Sequence, residues 1–166
     1  MKTIQEGDLL FDVSSAINAE KFDDDNLHGP KSTMKRVDFI IENQDEFIFL
    51  EVKDPDMPGA RYPEHFKQQF ITGNFIPEIA GQCRDTLLFT KLRQEYTKPI
   101  KYVVLVCMEK LDDALLLPRI DALKSALPLS HKSWIKNSLD SCIILKLGSY
   151  KKKYGENSVW RHSDYE

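Results

Sequence analysis

The stretch KRVDFIIENQDEFIFLEVK, residues 35–53, decides how the chain is read. Lys35–Glu42 and Glu46–Lys53 are rich in Val, Ile and Phe, and Asn43-Gln44-Asp45 between them supplies turn residues. Two strand-type runs joined by a short polar link predict a β-hairpin. The second run is apolar on both faces, with Phe47 and Phe49 on one and Ile48, Leu50 and Val52 on the other. A strand covered on both sides belongs in the middle of a sheet flanked by helices. Asp54-Pro55-Asp56-Met57-Pro58-Gly59 ends it, because proline cannot continue a central ladder.

Towards the N-terminus, Lys21 to Thr33 is polar and turn-rich, with Asp23-Asp24-Asp25-Asn26 and Gly29-Pro30, and reads as a loop. Residues 9–20 fit either a short strand followed by a helix or one ragged helix. Towards the C-terminus, Pro63 opens a short helix over 64–71. Residues 76–96 form a long helix with Ile79, Cys83, Leu87 and Leu88 spaced as one buried stripe. Tyr102–Met108 is an apolar strand, 111–127 is helical with a new first turn at Pro118, and Ser141–Leu147 is a last strand. The order predicts an α/β fold, a central mixed sheet of four to five strands flanked by helices. The length, near one typical domain, predicts a single domain over 1–166: an N-terminal helix and loop region 1–33, a core 34–147 and a basic C-terminal tail 148–166.

A hydrophobic content of 42% excludes a disordered chain, and a net charge of −3 excludes a protein held to nucleic acid by overall basicity. That near-neutral total hides an asymmetry. Residues 1–83 carry 8 basic and 16 acidic side chains, whereas residues 84–166 carry 15 basic and 10 acidic. Cys83, Cys107 and Cys142 are odd in number and far apart, and no C-x-x-C occurs. With the four histidines out of ligand spacing, this predicts neither a disulfide framework nor structural zinc, and a reducing, cytoplasmic setting. Met1–Asp8 lacks the apolar core of a signal peptide, and no apolar run approaches the ~20 residues of a membrane span.

Chemistry is concentrated in the hairpin. Glu51 and Lys53, two residues apart on a strand, point to one face. Asp38 lies on the preceding strand, and the link between the strands decides whether it joins them. A four-residue loop over 43–46 sets Glu42 against Phe47 and Asp38 directly opposite Glu51; a two-residue loop also keeps them together, and a regular three-residue loop separates them unless a bulge intervenes. Facing carboxylates on apolar strands repel and lose hydration. A divalent cation relieves both costs, and oxygen ligation suits magnesium or manganese. A lysine beside it can orient or deprotonate a water, or stabilise a developing oxyanion.

Val37-Asp38 followed by Glu51-Val52-Lys53, on a hairpin succeeded by a helix and a strand, resembles the PD-(D/E)xK nuclease superfamily, with Val37 where the motif's name has proline. The resemblance implies a restriction-endonuclease-like fold and magnesium- or manganese-dependent hydrolysis of phosphodiester bonds, in DNA before RNA. Asp38 and Glu51 would hold the metal, the Val52 carbonyl would join them, and Lys53 would serve the attacking water. Relatives often add an acidic residue from an N-terminal helix, for which Glu20 is the first candidate and Glu6 the second. They also often carry a polar residue on the helix after the hairpin, here Gln82. His28 is a weaker candidate for approaching phosphate, and Asp54 and Asp56 read as turn residues. Lys146, Lys151, Lys152, Lys153 and Arg161, interleaved with Tyr150, Tyr154 and Trp160, suit a surface that tracks phosphates and stacks bases. At this length, reading a defined sequence calls for a homodimer, a partner protein or a structured substrate. The alternative is a catalytically silent copy of the fold that binds nucleic acid or a protein.

Overall fold

A computed structural model describes residues 1–165. Eight strands run in order β1 (Thr3–Glu6), β2 (Leu9–Asp12), β3 (Asn18–Lys21), β4 (Phe39–Glu42), β5 (Phe47–Lys53), β6 (Ile100–Val106), β7 (Ser141–Lys146) and β8 (Val159–Arg161). The α-helices are α1 (Asp25–His28), α2 (Pro63–Thr72), α3 (Ile76–Arg93), α4 (Leu116–Ala126) and α5 (Leu147–Tyr154).

The central sheet has five strands in the order β3-β4-β5-β6-β7 and is mixed: β3, β4 and β5 are antiparallel, while β5, β6 and β7 are parallel. The fold class is therefore the expected one. β5 lies in the middle, buried along its length except at Lys53. One face, with Phe47, Phe49, Tyr102 and Val104, packs on α2, α3 and α4. The other, with Ile48, Leu50, Val103 and Leu105, packs on a small sheet of order β1-β2-β8 and on α5. Both-sided burial of β5 is what its continuous apolar run required.

Three regions differ from expectation. Residues 9–20 hold the strand β2 and, from Asn18, the edge strand β3; no α-helix precedes Asp25. Glycine decides the start of this region: Gly7, at φ +54°, turns β1 directly into β2, so Leu9 and Phe11 face inward at a period of two. Residues 35–38 lie outside β4, because α3 side chains take their amides. Lys35 N–H donates to Asp85 Oδ2 at 2.8 Å, and Val37 N–H donates to Thr86 Oγ1 at 3.1 Å. The expected tail forms α5 and β8, and β8 pairs antiparallel with β2. Its Tyr150 is buried and Tyr154 packs beside it, so these two rings serve the core rather than a stacking surface.

Helix α3 ends at Arg93 and buries Ile79, Cys83 and Leu87 as expected, but Leu88 is 54% exposed and Thr86 and Thr90 take part in the buried stripe. Pro118 sits in the first turn of α4, where its missing N–H costs nothing. Cys83, Cys107 and Cys142 are each buried and free. Among the described residues no helix is long and apolar enough to cross a membrane.

Candidate active site

The hairpin register determines the site. Glu42 pairs with Phe47 and Phe39 with Leu50, so the link is the four-residue loop 43–46, closed by Asn43 N–H donating to the Glu46 carbonyl at 2.9 Å. One step further, Asp38 stands opposite Glu51 where β4 begins. There its carboxylate takes the place of a strand partner: Val52 N–H donates to Asp38 Oδ2 at 2.7 Å.

Asp38 is 8% exposed and Glu51 1% exposed. Lys53 Nζ lies 2.6 Å from Glu51 Oε1, with the lysine side chain 24% exposed. Glu51 Oε2 is buried without a hydrogen-bond partner, as is Oε1 of Gln82, which α3 brings to the same carboxylate. Burial, then the charges of Glu51 and Glu6, push the Asp38 carboxyl up to about 8 against the opposing pull of the Val52 N–H and Lys53. Burial also raises Glu51, opposed by the Lys53 ammonium and the Gln82 side chain, with Asp23 adding to the rise. Burial disfavours the Lys53 charge, yet Glu51, Asp38 and Glu78 outweigh it and hold the ammonium above its usual range.

The structure thus brings together Asp38, Glu51, Val52, Lys53 and Gln82. Glu20 lies on β3 opposite Ile40, where both its oxygens are taken by Arg93 of α3 at 2.8 and 3.0 Å. Glu6 is close enough for its charge to act on Asp38, and it pairs with Lys21 at 3.1 Å. His28 folds back on its own loop, with Nε2 2.8 Å from the Phe22 carbonyl and its ring on Phe22 and Phe89. Asp54 accepts from Nη1 and Nη2 of Arg161, and Asp56 accepts from Glu109 N–H at 2.7 Å, as turn residues with structural partners. Of the basic stretch, Lys146 is tied to Leu111 and Asp113, and Arg161 to Asp8 and Asp54.

Sequence reasoning missed Asp23 and the Lys35–Glu78 ion pair. The Asp23 N–H donates to the Asp38 carbonyl at 3.3 Å and its carboxylate is held by Arg36 Nε at 2.9 Å, so the acidic loop lies against the site. The run of aspartates is visible in the sequence, but only the fold shows that Asp23, itself exposed, is the one whose backbone lies against Asp38. Lys35 meets Glu78 because α3 has Gly81 at their crossing: a Cβ there would stand 3.0 Å from Lys35 Cδ.

A cation fits this donor set. Two buried carboxylates, one with a partnerless oxygen, are the hard ligands that magnesium accepts from one or two residues while keeping several waters. Among the described residues no group of three or more His, Cys, Asp or Glu side chains is gathered as a metal cage.

Comparison with known protein families found no match, and comparison with curated proteins found none. Among solved structures, the chain is similar to the small subunit of a heterodimeric restriction endonuclease, at 17% identity and a TM-score of 0.41 over 85% of this chain. The match spans 59% of that subunit's length.

Proposed function

We propose that the protein is a metal-dependent nuclease that hydrolyses phosphodiester bonds, of DNA before RNA. One observation carries this reading: Asp38 and Glu51 are buried opposite each other, Glu51 Oε2 has no partner, and Lys53 Nζ sits 2.6 Å from Glu51 Oε1. A structural ion pair has no need of the second buried carboxylate, which raises the cost of the first.

Asp38, Glu51 and the Val52 carbonyl would hold magnesium or manganese, without Glu20, whose oxygens Arg93 occupies. The cation would supply a Lewis acid for a phosphate oxygen and neutralise the carboxylates. Lys53, kept as an ammonium, suits orienting the attacking water or stabilising the phosphorane-like charge rather than removing a proton. Gln82 positions Glu51 from α3. Selectivity for a defined sequence would come from a second copy of the chain or a partner protein.

Incubation of the purified protein with single- and double-stranded DNA and RNA, with Mg²⁺ or Mn²⁺, tests this. Cleavage by the wild type that Glu51→Ala and Lys53→Ala abolish supports it. Absence of both cleavage and any metal-dependent thermal shift would sink it in favour of a catalytically silent binding module.

A further inference from the structure

A cavity of about 380 Å³ opens beside Lys53, within the range of sites that hold small ligands. Phe66 of α2 and Phe75, just before α3, form its apolar walls, their rings 5.9 Å apart and edge-on. Gln69 and Asn74 bring two carboxamides to the same space, and neither side chain makes a hydrogen bond among the described residues. Lys35 and Lys53 stand at one side, with Glu78 at the rim paired to Lys35.

Each part selects for a different feature of a ligand. Aromatic walls favour a flat, apolar-faced group, and free carboxamides, with donor and acceptor side by side, match the edge of a heterocycle. The ammonium groups of Lys35 and Lys53, paired to Glu78 and Glu51, keep further donors for an anion joined to it. A bare phosphate would leave the rings and carboxamides unused, and an aliphatic ligand would leave the lysines and carboxamides unsatisfied. A nucleotide uses all three.

We propose that this cavity receives an unpaired base of the DNA strand being cut, next to the phosphate at Lys53, so that the substrate is a single strand, a frayed end or a flap rather than a closed duplex. The proposal rests on the nuclease reading for the role of Lys53. A base inside an intact duplex reaches such a cavity only by leaving its stack, at a cost of a few kcal/mol that an unpaired base does not incur.

Fluorescence anisotropy tests it, with a labelled 12-nucleotide strand and the corresponding blunt duplex, in Ca²⁺ in place of Mg²⁺. The expected result is at least tenfold tighter binding of the single strand. Phe66→Ala and Gln69→Leu should each weaken it about tenfold, the scale of one lost base stack, and leave duplex binding within twofold. A strand carrying 2-aminopurine should change its emission on binding wild type but not Phe66→Ala. Gln69→Leu, on a helix surface, keeps the test usable if Phe66→Ala fails to fold. Equal binding of strand and duplex, or indifference of single-strand affinity to Gln69→Leu, overturns the cavity's role. Cleavage in Mg²⁺, measured in parallel, separates the two readings. Selective binding without any cleavage removes the nuclease and keeps the base site. Equal cleavage of strand and duplex, unchanged by Gln69→Leu, does the reverse.

Discussion

At the scale of single residues, the site is built at a cost to folding that a cation would remove. The Asp38 carboxyl is pushed up to about 8 by burial and by Glu51, and Glu51 is raised as well. A carboxyl whose folded pKa exceeds the unfolded value, about 4, contributes stability that is complete below that value and is lost as pH rises through the folded one. The metal-free protein should therefore lose stability between about pH 4 and pH 8, with Tm falling by on the order of 10 °C or more from this source. Mg²⁺ should raise Tm more at pH 8 than at pH 5.5, and Asp38→Asn should flatten both effects; differential scanning fluorimetry across this range measures them. A steady Tm gain from Mg²⁺ at every pH, unaffected by Asp38→Asn, would place the cation elsewhere. On the proposed nuclease reading Lys53 has a role separable from metal binding. Lys53→Met should lower kcat by about 100-fold or more, the scale of a lost general acid–base or oxyanion group, yet keep the Mg²⁺-dependent thermal shift. Loss of that shift as well would show that Lys53 acts through the shape of the metal site.

At the scale of elements, the site depends on a strap held by a helix. Residues 35–37 receive no strand partner; instead Thr86 and Asp85 of α3 accept the amides of Val37 and Lys35, and backbone pairing resumes at Asp38, whose carbonyl accepts from Phe22 N–H at 2.8 Å. Thr86 is fully buried, so Thr86→Val keeps the volume but leaves the Val37 N–H buried and unpaired. That should cost about 1–3 kcal/mol, or several degrees in Tm, and weaken metal binding through the displaced Asp38. A metal-dependent shift of wild-type size in this variant would mean that the strap does not position Asp38. The same elements show what the sequence made legible. Phe47 to Val52 announced a central strand because burial on both faces leaves a continuous apolar run, and the hairpin's possible registers followed from counting 43–46. The strap has a strand-type side chain at Val37 and runs straight into β4, so its sequence reads as strand; nothing local reveals that a helix fifty residues away takes the amides. The short strand offered for the start of 9–20 is β2, whereas β3 is not legible, for a related reason. Asn18–Lys21 has neither alternation nor β-branched residues, and it is a strand only because the β4 edge is there to pair with. Glu20 was assigned to the metal on the expectation of a helix, and the edge strand instead delivers it to Arg93.

At the scale of the whole molecule, the acidic and basic halves of the sequence neutralise each other. Arg93 pairs with Glu20, Lys98 with Glu42, Lys101 with Glu46, and Arg161 with Asp8 and Asp54, each joining the basic half to the acidic one. Most of these pairs are partly exposed and add little stability individually, but they hold cations that would otherwise be free for phosphate. Arg161, at the end of β8, also ties the C-terminal segment to Asp54, the residue that follows β5, so closure of the small sheet and the end of the site strand share one side chain. Lys53 and Lys35 beside the site are paired as well, to Glu51 and Glu78, so what a substrate meets there is the remaining donors of two ammonium groups, a local contact and not a broad basic surface. Each phosphate neutralised on a single strand contributes about −0.7 to the slope of log Kobs against log salt. Two to four such contacts predict a slope of roughly −1.5 to −3 for single-stranded DNA, measured by anisotropy between 50 and 300 mM KCl, and Lys35→Ala should make it shallower by about 0.7. A slope steeper than about −5 would require a broad basic surface, with Lys151, Lys152 and Lys153 of α5 engaged, and would return phosphate tracking to the C-terminal segment.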